Sequence, residues 1–378
     1  MAASTRIESS KGIGTLYLAL ELSIGRWDLG FTIGLGQKPR RRSVRGGDVE
    51  KLEMEIAKAK TRFGLPASAR VVSCYEAGRD GFWLHRLLRE TGVENHVVDS
   101  SSIQVHRRQK QAKTDGLDLD KLLTMLVRYD QGEKKVWSVV HVPSAEVEDH
   151  RHLHRELIAL KRERTRSKNR IKGLLFGVGV RLEVIRDLPA QLEEVRLWDG
   201  GRLPPALHCR LLREYRRLQL VGEQIHELEA ERLEIVREAQ EPEIEMVRQL
   251  LCLRGLGINS SWLYVMEFFG WRRFRNRKQV GLLAGLTLMP YQSGGTRREQ
   301  GISKAGNRLV RAVTVEIAWG WLRFQPTSKL SRWYQERFGH GGRRARKIGI
   351  VALARKLLVE LWKYLETGVI PEGAVLKA

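Results

Sequence analysis

Cysteine is scarce in this chain of 378 residues: the three that it contains, Cys74, Cys209 and Cys252, lie far apart. An odd number of widely spaced cysteines excludes a disulfide framework, and it does not provide the paired spacing of a zinc site. So few cysteines fit a protein of a reducing cytosol.

Long apolar runs are also missing. No segment approaches the ~20 apolar residues of a membrane-spanning helix. The first residues, MAASTRIESSKGIG, lack the apolar core of a secretory signal. We therefore expect neither a membrane partner nor secretion.

Acidic side chains are few relative to basic ones. The chain has 67 Lys and Arg against 44 Asp and Glu, a formal net charge of +23. A surplus of this size favours a polyanionic partner, because neutralising phosphates releases counterions and drives binding. Nucleic acid is the leading candidate, and an anionic membrane surface is the alternative.

The first 130 residues or so alternate short apolar segments with helical patterns. The segments TLYLALEL, RWDLGFTIG, ARVVSCYEAG and NHVVDSS predict strands, and QKPRRR predicts a turn into an edge strand. The predicted order is strand, strand, strand, helix, strand, helix, strand, helix. This order is typical of a mixed sheet with helices on its faces, and we assign it to a domain at residues 1–143.

The next region, residues 144–245, is predicted to be a helical arm. Its apolar residues are spaced by 7, 3, 4, 3 and 7, which predicts a coiled-coil seam. The seam consists of Leu211, Leu218, Val221, Ile225, Leu228 and Ile235. Glu214 and Arg232 interrupt it, so we expect modest stability. The segment LWDGGRLPP divides the arm into two long helices, which form either an antiparallel hairpin or an intermolecular zipper.

Residues 246–378 are predicted to form a third, mostly helical domain. Its segment LLCLRGLGINSSWLYVMEFFG has two glycines at a helix-to-helix turn. This arrangement resembles a helix-hairpin-helix element, in which backbone N–H groups at a helix start hold a phosphate. A simple helical turn is the alternative.

Acidic residues that are distant in sequence are predicted to meet at one edge of the first sheet. Asp115 and Asp118 are three residues apart on a predicted helix, next to Asp120, so their carboxylates point the same way. Glu21 lies within the first apolar strand, where a carboxylate is costly unless it is paired or bound to metal, and Glu76 ends another strand.

Carboxylates packed this closely repel one another, and oxygen ligands suit Mg²⁺ or Mn²⁺. Two such ions can activate a nucleophile and stabilise the leaving oxygen of a phosphodiester. The basic segment just before these aspartates is then suited to guide a phosphate backbone. The alternative is a solvated first helical turn, with the aspartates capping the helix and forming salt bridges.

Four segments resemble, in order, landmarks of the DEDD transposases of the insertion-sequence 110/1111 family. They are YLALELSIGRWDLGF, CYEAGRDGFWLHRLL, VVDSSSIQVHRRQKQAKTDGLDLDKL and YQSGGTRREQGISKAGNRLVRAV, which together span nearly the whole chain. The resemblance implies an α/β RNase H or RuvC-like catalytic domain, a helical coiled-coil arm and a mostly α-helical C-terminal domain. It also implies a bacterial cytosolic protein associated with the nucleoid.

The resemblance also implies roles for single residues. Glu76, Asp115 and Asp118 match the second, third and fourth acidic positions of the family. The first position is normally aspartate and here falls on Glu21, with Asp28 as the fallback. These residues would bind Mg²⁺ or Mn²⁺.

The family's serine nucleophile matches Ser293, in the segment QSGG. The two glycines that follow allow a close backbone approach, and a serine hydroxyl near a metal can attack phosphorus to form a phosphoserine link. The alternative is a polar turn. Ser303 is the competing hydroxyl, which we expect to cap the helix that follows it.

Clusters of cations are predicted to bind nucleic acid. They consist of Arg107, Arg108, Lys110, Lys113, Arg272, Arg273, Arg275, Arg277, Lys278, Arg297, Arg298, Lys304 and Arg308. Trp271 and Phe274 lie among them, and such aromatic rings either stack on bases or cover the core. The segment HGGRRARK is expected to be a flexible phosphate-binding loop that opens the last helix, or else a solvated run of charge.

The leading hypothesis is a site-specific recombinase that moves an insertion sequence, with double-stranded DNA as substrate. Similarity to bridge-RNA-guided recombinases implies a guide RNA encoded by the element, and a homodimer that assembles into a tetramer. One alternative is a metal-dependent, structure-selective nuclease of the RuvC type without a covalent intermediate. Another is an inactive nucleic-acid-binding relative, for which Glu21 in place of aspartate is the only hint.

Overall fold

The computed structural model describes residues 14–78, 81–103, 115–183, 185–293 and 296–377. The chain divides into two compact units, residues 1–142 and residues 143–378, and each is described by itself. No helix within the described ranges is both long and apolar enough to cross a membrane. The predicted three-part division, with boundaries at 143/144 and 245/246, stays a prediction.

The first unit contains a five-stranded mixed sheet. Its strands and helices are β1 (Leu16–Leu22), β2 (Arg26–Thr32), β3 (Arg40–Arg45), α1 (Val49–Arg62), β4 (Val71–Glu76), α2 (Trp83–Glu90), β5 (Glu94–Val98) and α3 (Asp115–Asp130). The predicted order of strands and helices is confirmed. In space the strands run β3-β2-β1-β4-β5, with antiparallel β3-β2-β1 pairs and parallel β1-β4 and β4-β5 pairs.

Alternation along β1 explains why both faces of the sheet are covered. Leu16, Leu18 and Leu20 are fully buried in the core cluster that α1 and α2 complete. Tyr17 and Ala19 point to the other face, where α3 supplies a second apolar cluster. Successive side chains of a strand point to opposite faces, so a strand buried on both sides reads as a continuous apolar run.

Helix α3 lies very close to the sheet at Gly30. A Cβ atom at this position would be 2.9 Å from Cγ of Leu119 and 2.9 Å from Cδ1 of Leu123. Glycine therefore allows the helix to approach strand β2 more closely than any other residue would.

The second unit is mainly helical. Its elements are α4 (Ala145–Phe176), α5 (Leu188–Glu194), α6 (Pro205–Glu238), α7 (Pro242–Cys252), α8 (Ile258–Tyr264), α9 (Arg277–Leu283), β6 (Leu288–Ser293), β7 (Thr296–Ile302), α10 (Arg308–Phe324), α11 (Lys329–Tyr334) and α12 (Arg343–Thr367). Helices α8 and α11 each continue into a five-residue π-helical turn, at residues 265–269 and 335–339.

The two long helices α4 and α6 pack against each other as an antiparallel hairpin within one chain. Near one end, Ile171 and Leu175 share a core cluster with Leu211, and toward the other end Leu157 packs with Val221 and Ile225. The sequence leaves open an antiparallel hairpin or an intermolecular zipper, and in the structure the apolar seam packs within the hairpin.

The two charged residues that interrupt this seam are buried, and each forms at least one hydrogen bond. Glu214 accepts hydrogen bonds from Arg170, at 2.8 Å, and from Arg217, at 2.9 Å. The guanidinium of Arg232 donates to Oδ1 of Asn259 at 2.7 Å. The charge of Glu214 is thus paired, whereas Nε and Nη1 of Arg232 are buried without a hydrogen-bond partner among the described residues.

The structure decides two expectations for the C-terminal region, the role of Trp271 and Phe274 and the conformation of the segment HGGRRARK. Trp271 is buried and donates to the Met266 carbonyl at 2.9 Å, while the ring of Phe274 lies 4.9 Å from that of Phe268. These aromatic rings therefore cover the core. The expected loop at HGGRRARK is wrong in part, because α12 already begins at Arg343.

Candidate active site

Two glutamates lie at the carboxyl ends of adjacent parallel strands. Ala19 of β1 pairs in register with Cys74 of β4, and Glu21 and Glu76 each follow two residues later. Because side chains alternate along a strand, Glu21 and Glu76 lie on the same face as Ala19 and Cys74, the face that α3 covers. Glu21 is half-buried, with its Oε2 atom shielded from solvent, and Glu76 is exposed.

Helix α3 brings a third carboxylate to this edge. Leu119 and Leu122 are buried against the sheet and fix the start of the helix. Asp118 precedes them and lines a cleft of about 590 Å³ together with Glu21 and Glu76. The rest of the lining consists of Leu20, Leu122, residues 22–25 at and after the end of β1, and residues 77–78 after β4.

Two aspartates near this edge form ion pairs. Asp28, the fallback for Glu21, accepts hydrogen bonds from Arg26, at 3.1 Å, and from the Ser43 hydroxyl, and it is not among the described residues that line the cleft. Asp120 forms a salt bridge with Arg41 of β3. Because Glu21 lines the cleft and Asp28 is not among its described lining residues, the geometry favours Glu21 over Asp28 as the first acidic position.

The negative charge of Glu76 affects the pKa of Cys74, two residues earlier on β4. The pKa of the Cys74 thiol is raised well above its usual range, first by complete burial and then by the Glu76 carboxylate. Cys74 is therefore an inert core thiol, because only the thiolate is reactive.

The donor set of the cleft fits a hard cation, since three carboxylates supply oxygen ligands of the kind that Mg²⁺ and Mn²⁺ prefer. Within the described residues, however, no group of three or more His, Cys, Asp or Glu side chains could hold a metal ion as it stands. The remaining predicted ligand, Asp115, is the first residue of α3, and its side chain lies outside the described residues. The four-carboxylate metal site stays a prediction.

The predicted nucleophile lies in the second unit. Ser293 is the last residue of β6 and pairs in register with Thr296, the first residue of β7, so these strands form an antiparallel hairpin. Arg297 and Arg298 pair with Gln292 and Tyr291. The side chains of residues 290–293 and 296–300, and all of residues 294–295, lie outside the description.

The segment that leaves this hairpin has a tightly constrained backbone. Lys304 has a φ of 55°, in the left-handed region that few non-glycine residues adopt, and Gly306 has a φ of 118°. A Cβ atom on Gly306 would lie 2.2 Å from the carbonyl oxygen of Leu283. Arg311 donates to the carbonyl of Lys304 at 2.9 Å, which fixes the segment against α10.

Ser303 does not cap the following helix, so that expectation is wrong. Helix α10 is capped by Asn307, whose side chain accepts from the N–H groups of Leu309 and Val310. Position decides this, since Asn307 directly precedes the first residue of the helix, Arg308, whereas Ser303 lies four residues further back. The Ser303 hydroxyl is buried and has no hydrogen-bond partner among the described residues.

A buried carboxylate that the sequence patterns did not single out supports the same region. Glu267, in the π-helical turn after α8, accepts hydrogen bonds from Arg155, at 2.7 Å, and from the side chain of Asn307, at 3.5 Å. Burial by itself would raise the pKa of Glu267, but hydrogen bonding to Arg155 and the charge of Arg151 lower it. An ionised Glu267 therefore links helix α4 to the cap of α10.

The predicted nucleic-acid-binding cations fall into separate groups. Arg277, Lys278 and Lys304 line one groove of the second unit. Arg273, Arg275 and Arg308 are exposed outside that groove, whereas Arg272 stacks on the ring of Trp271 at 4.2 Å. Arg107, Arg108, Lys110 and Lys113 lie outside the described residues.

The sequence resembles known transposases over its whole length. Residues 247–332 match the model of the transposase IS116/IS110/IS902 family. A protein of Sinorhizobium fredii with the name transposase y4rJ is 41% identical over 396 residues, covering 100% of this chain and 99% of the relative. A protein of Pseudomonas aeruginosa, named as a family 20 transposase, is 31% identical over 78% of this chain and 83% of the relative.

A third relative is the transposase for insertion sequence element IS1328 of Yersinia enterocolitica, 28% identical over 56% of this chain and 60% of the relative. The match to the first relative covers both units of the chain. The chain therefore belongs to the IS116/IS110/IS902 family of transposases.

Proposed function

We propose that the first unit is an RNase H or RuvC-like catalytic domain and that the acidic cleft is its active site for DNA strand cleavage and transfer. The observation that carries this proposal is the shared cleft of Glu21, Glu76 and Asp118 at the carboxyl ends of β1 and β4. In open sheets with parallel strands, ligands bind outside the carboxyl ends of the strands. The strand order β3-β2-β1-β4-β5 supports the assignment of the fold.

Glu21, Glu76, Asp115 and Asp118 would hold Mg²⁺ or Mn²⁺ in this cleft. When bound, such ions act as Lewis acids that stabilise the charge developing on a phosphodiester. The carboxylates themselves need a counter-charge, because three of them share one cleft in the described residues. Their repulsion makes the site selective for a cation of high charge density.

Ser293 would act as the nucleophile. Its hydroxyl would lose a proton to solvent and its Oγ would form a P–O bond while the bond between phosphorus and the leaving DNA oxygen breaks, and the leaving oxygen would take up a proton from solvent. Attack by a hydroxyl of the second DNA strand would then reverse the process and release the serine. The position of Ser293 at the end of β6 supports this role, because a strand end next to Gly294 and Gly295 admits a close approach of the backbone.

We further propose that the protein binds a guide RNA. It would act as a homodimer that assembles into a tetramer. The net charge of +23 supports binding of more than one polyanion. Double-stranded DNA is the expected substrate of a transposase, and an RNA encoded beside the reading frame would pair with the DNA of the element and of the target.

The test uses the full-length protein, a plasmid that carries the element ends, RNA transcribed from the noncoding flank, and Mg²⁺. Protein covalently linked to DNA is measured on a denaturing gel. We expect Ser293→Ala to abolish the adducts while RNA binding persists, and Ser303→Ala, the matched control, to retain them. Undiminished adducts from Ser293→Ala would refute the assignment of the nucleophile.

The acidic cleft is tested in the same assay. Glu76→Gln and Asp118→Asn should abolish cleavage, whereas Asp28→Asn should retain it. Cleavage without any adduct in the parent protein would indicate the RuvC-like nuclease instead. If the parent binds nucleic acid but neither cleaves nor gains metal affinity from Glu21→Asp, the chain is an inactive relative.

A further inference from the structure

The second unit contains a strongly basic groove that belongs to neither the acidic cleft nor the end of the serine hairpin. The groove measures about 1600 Å³. Ten of its 22 lining residues are Lys or Arg, and one is Glu. It is bounded by α9, the base of the β6–β7 hairpin, α11 with its π-helical turn, and α12.

One face of α12 forms the long wall of this groove. Arg344, Ile348, Val351, Arg355 and Val359 follow one another at spacings of three and four residues, so they lie on one side of the helix. A single stripe therefore carries both cations and apolar side chains. From position 344 to position 363 the stripe extends about 28 Å.

The positive charge of the groove is largely uncompensated within the chain. In the part of the chain that the structure describes, the one ion pair inside the groove joins Lys363 to Glu360, at 2.8 Å. Lys356 lies over the ring of Trp333 at 4.6 Å and forms no ion pair among the described residues. A field of this strength attracts a polyanion.

Two of the cations occupy positions that the helix itself disfavours. Arg343 and Arg344 lie in the first turn of α12 and Lys347 in the next, and the first turn contains no acidic residue. The helix dipole places partial positive charge at the N-terminus, so cations there reduce the stability of the helix. Fold stability therefore does not explain these residues, whereas binding of phosphate does.

The floor of the groove is apolar and uncovered. Leu288 is 50% exposed and Ile348 is 56% exposed, and Ile302 lies beside Leu288 in the hairpin register. A duplex presents mainly phosphates on its outer surface and offers nothing to such a floor. An unpaired strand offers both the phosphates for the rim and the apolar faces of its bases for the floor.

We propose that this groove binds an unpaired nucleic-acid strand, with its phosphates on the cations of α12 and its bases against Leu288, Ile302 and Ile348. Single-stranded RNA and single-stranded DNA have this sugar–phosphate backbone in common, so the bound strand is one or the other. The strand would lie at the base of the serine hairpin, because the groove includes the ends of β6 and β7 nearest to α9. This inference does not depend on the chemistry proposed for the acidic cleft.

The test measures binding of the full-length protein to labelled, unstructured oligonucleotides of ~12 nucleotides, within the site sizes typical of single-strand grooves. Single-stranded RNA, single-stranded DNA and duplex DNA of the same length are compared by fluorescence anisotropy over a range of salt concentrations. We expect tighter binding of one or both single strands than of the duplex. The tighter of the two identifies the source of the strand.

The triple variant Arg343→Gln, Arg344→Gln and Lys347→Gln should weaken single-strand binding about tenfold or more and reduce the slope of log K against log salt by ~2. Ile348→Ser should weaken binding but leave the slope unchanged, because it removes no charge. The matched control, Arg213→Gln, Arg216→Gln and Arg323→Gln, removes three exposed cations outside the groove and should have little effect on binding.

Three outcomes would overturn the proposal. In the first, the groove variant binds single strands as tightly as the parent does. In the second, the control variant loses as much single-strand affinity as the groove variant. In the third, the groove variant loses affinity for the duplex alone. The substitutions in the groove variant remove unfavourable dipole interactions, so the variant should fold at least as stably as the parent. Thermal unfolding checks that a loss of binding is not a loss of fold.

Discussion

The hydroxyl of Tyr17 on β1 donates a hydrogen bond of 2.8 Å to Oδ2 of Asp130, the last residue of α3. Arg70 donates to the same carboxylate from the start of β4, at 2.9 Å to each oxygen. These bonds fix the C-terminal end of α3 to one edge of the sheet, whereas its N-terminal end carries Asp118 into the cleft at the opposite edge. A contact far from the cleft thus helps to set the position of a candidate catalytic residue.

Asp130→Asn should lower the free energy of unfolding at neutral pH by about 1–2 kcal/mol, because it removes a charge-assisted pair with a partly exposed arginine. Burial by itself would raise the pKa of Asp130, but the hydrogen bonds from Arg70 and Tyr17 lower it. The contribution is therefore complete above the ordinary aspartate pKa and is lost as pH falls through the lower folded value.

Urea unfolding of parent and variant over a range of pH measures this effect. The two curves should converge at acidic pH. Tyr17→Phe serves as a comparison, because it removes one hydrogen bond and retains the charge pair. A difference between parent and Asp130→Asn that is the same at every pH would contradict the expectation.

Gly30→Ala should destabilise the first unit and also reduce DNA cleavage. The new methyl group would lie 2.9 Å from atoms of Leu119 and Leu123, so α3 must shift away from β2, at a cost of about 1–3 kcal/mol. Gly34→Ala is the matched control, since no atom lies within 4 Å of a Cβ there. Equal melting temperatures for the two variants would show that α3 does not require the glycine.

Lys304→Gly should raise the free energy of unfolding by up to about 1 kcal/mol, because it relieves a left-handed backbone conformation that lysine rarely adopts. It should also weaken nucleic-acid binding, since Lys304 lines the basic groove. Lys304→Gln removes the charge and keeps the strain, so it should weaken binding equally without any gain in stability. Thermal unfolding and anisotropy distinguish the two effects, and a gain in stability from the glutamine variant would rule out relief of strain as the cause.

His154 on α4 should make the second unit sensitive to mild acid. Its ring is 3% exposed, and among the described residues neither nitrogen has a hydrogen-bond partner. Burial, assisted by the charge of Arg232, lowers the pKa of His154 to about 4. Because the unfolded chain binds this proton more readily, stability should fall as pH decreases from about 6.5 to about 4, by as much as ~3 kcal/mol.

His154→Leu should flatten this part of the pH profile of stability. His152→Leu removes an exposed histidine from the same helix and should leave the profile close to that of the parent. Unfolding midpoints at several pH values provide the measurement. The expectation fails if both variants retain the parental slope.

Much of the first unit could be predicted from the sequence. The apolar run from Leu16 to Leu20 and the pattern after it specify strands of a mixed sheet, since a strand buried on both faces requires this composition. The sequence also predicts Glu76 at the end of a strand, but it predicts Glu21 within its strand, whereas the structure puts Glu21 next to the last residue of β1. Their meeting in one cleft depends on the parallel pairing of β1 with β4, which spacing along the chain does not encode.

Local sequence patterns by themselves determined the basic character of the protein, the order of its strands and helices and its resemblance to a transposase family. Tertiary structure decided that the seam of α6 packs within the chain, that Trp271 and Phe274 cover the core, and that Asn307 rather than Ser303 caps α10. It also gathered Arg277, Lys304 and the face of α12 into one groove. The physical reason is that periodicity reports which face of an element is apolar, whereas the choice of partner for that face depends on contacts between residues far apart in the chain.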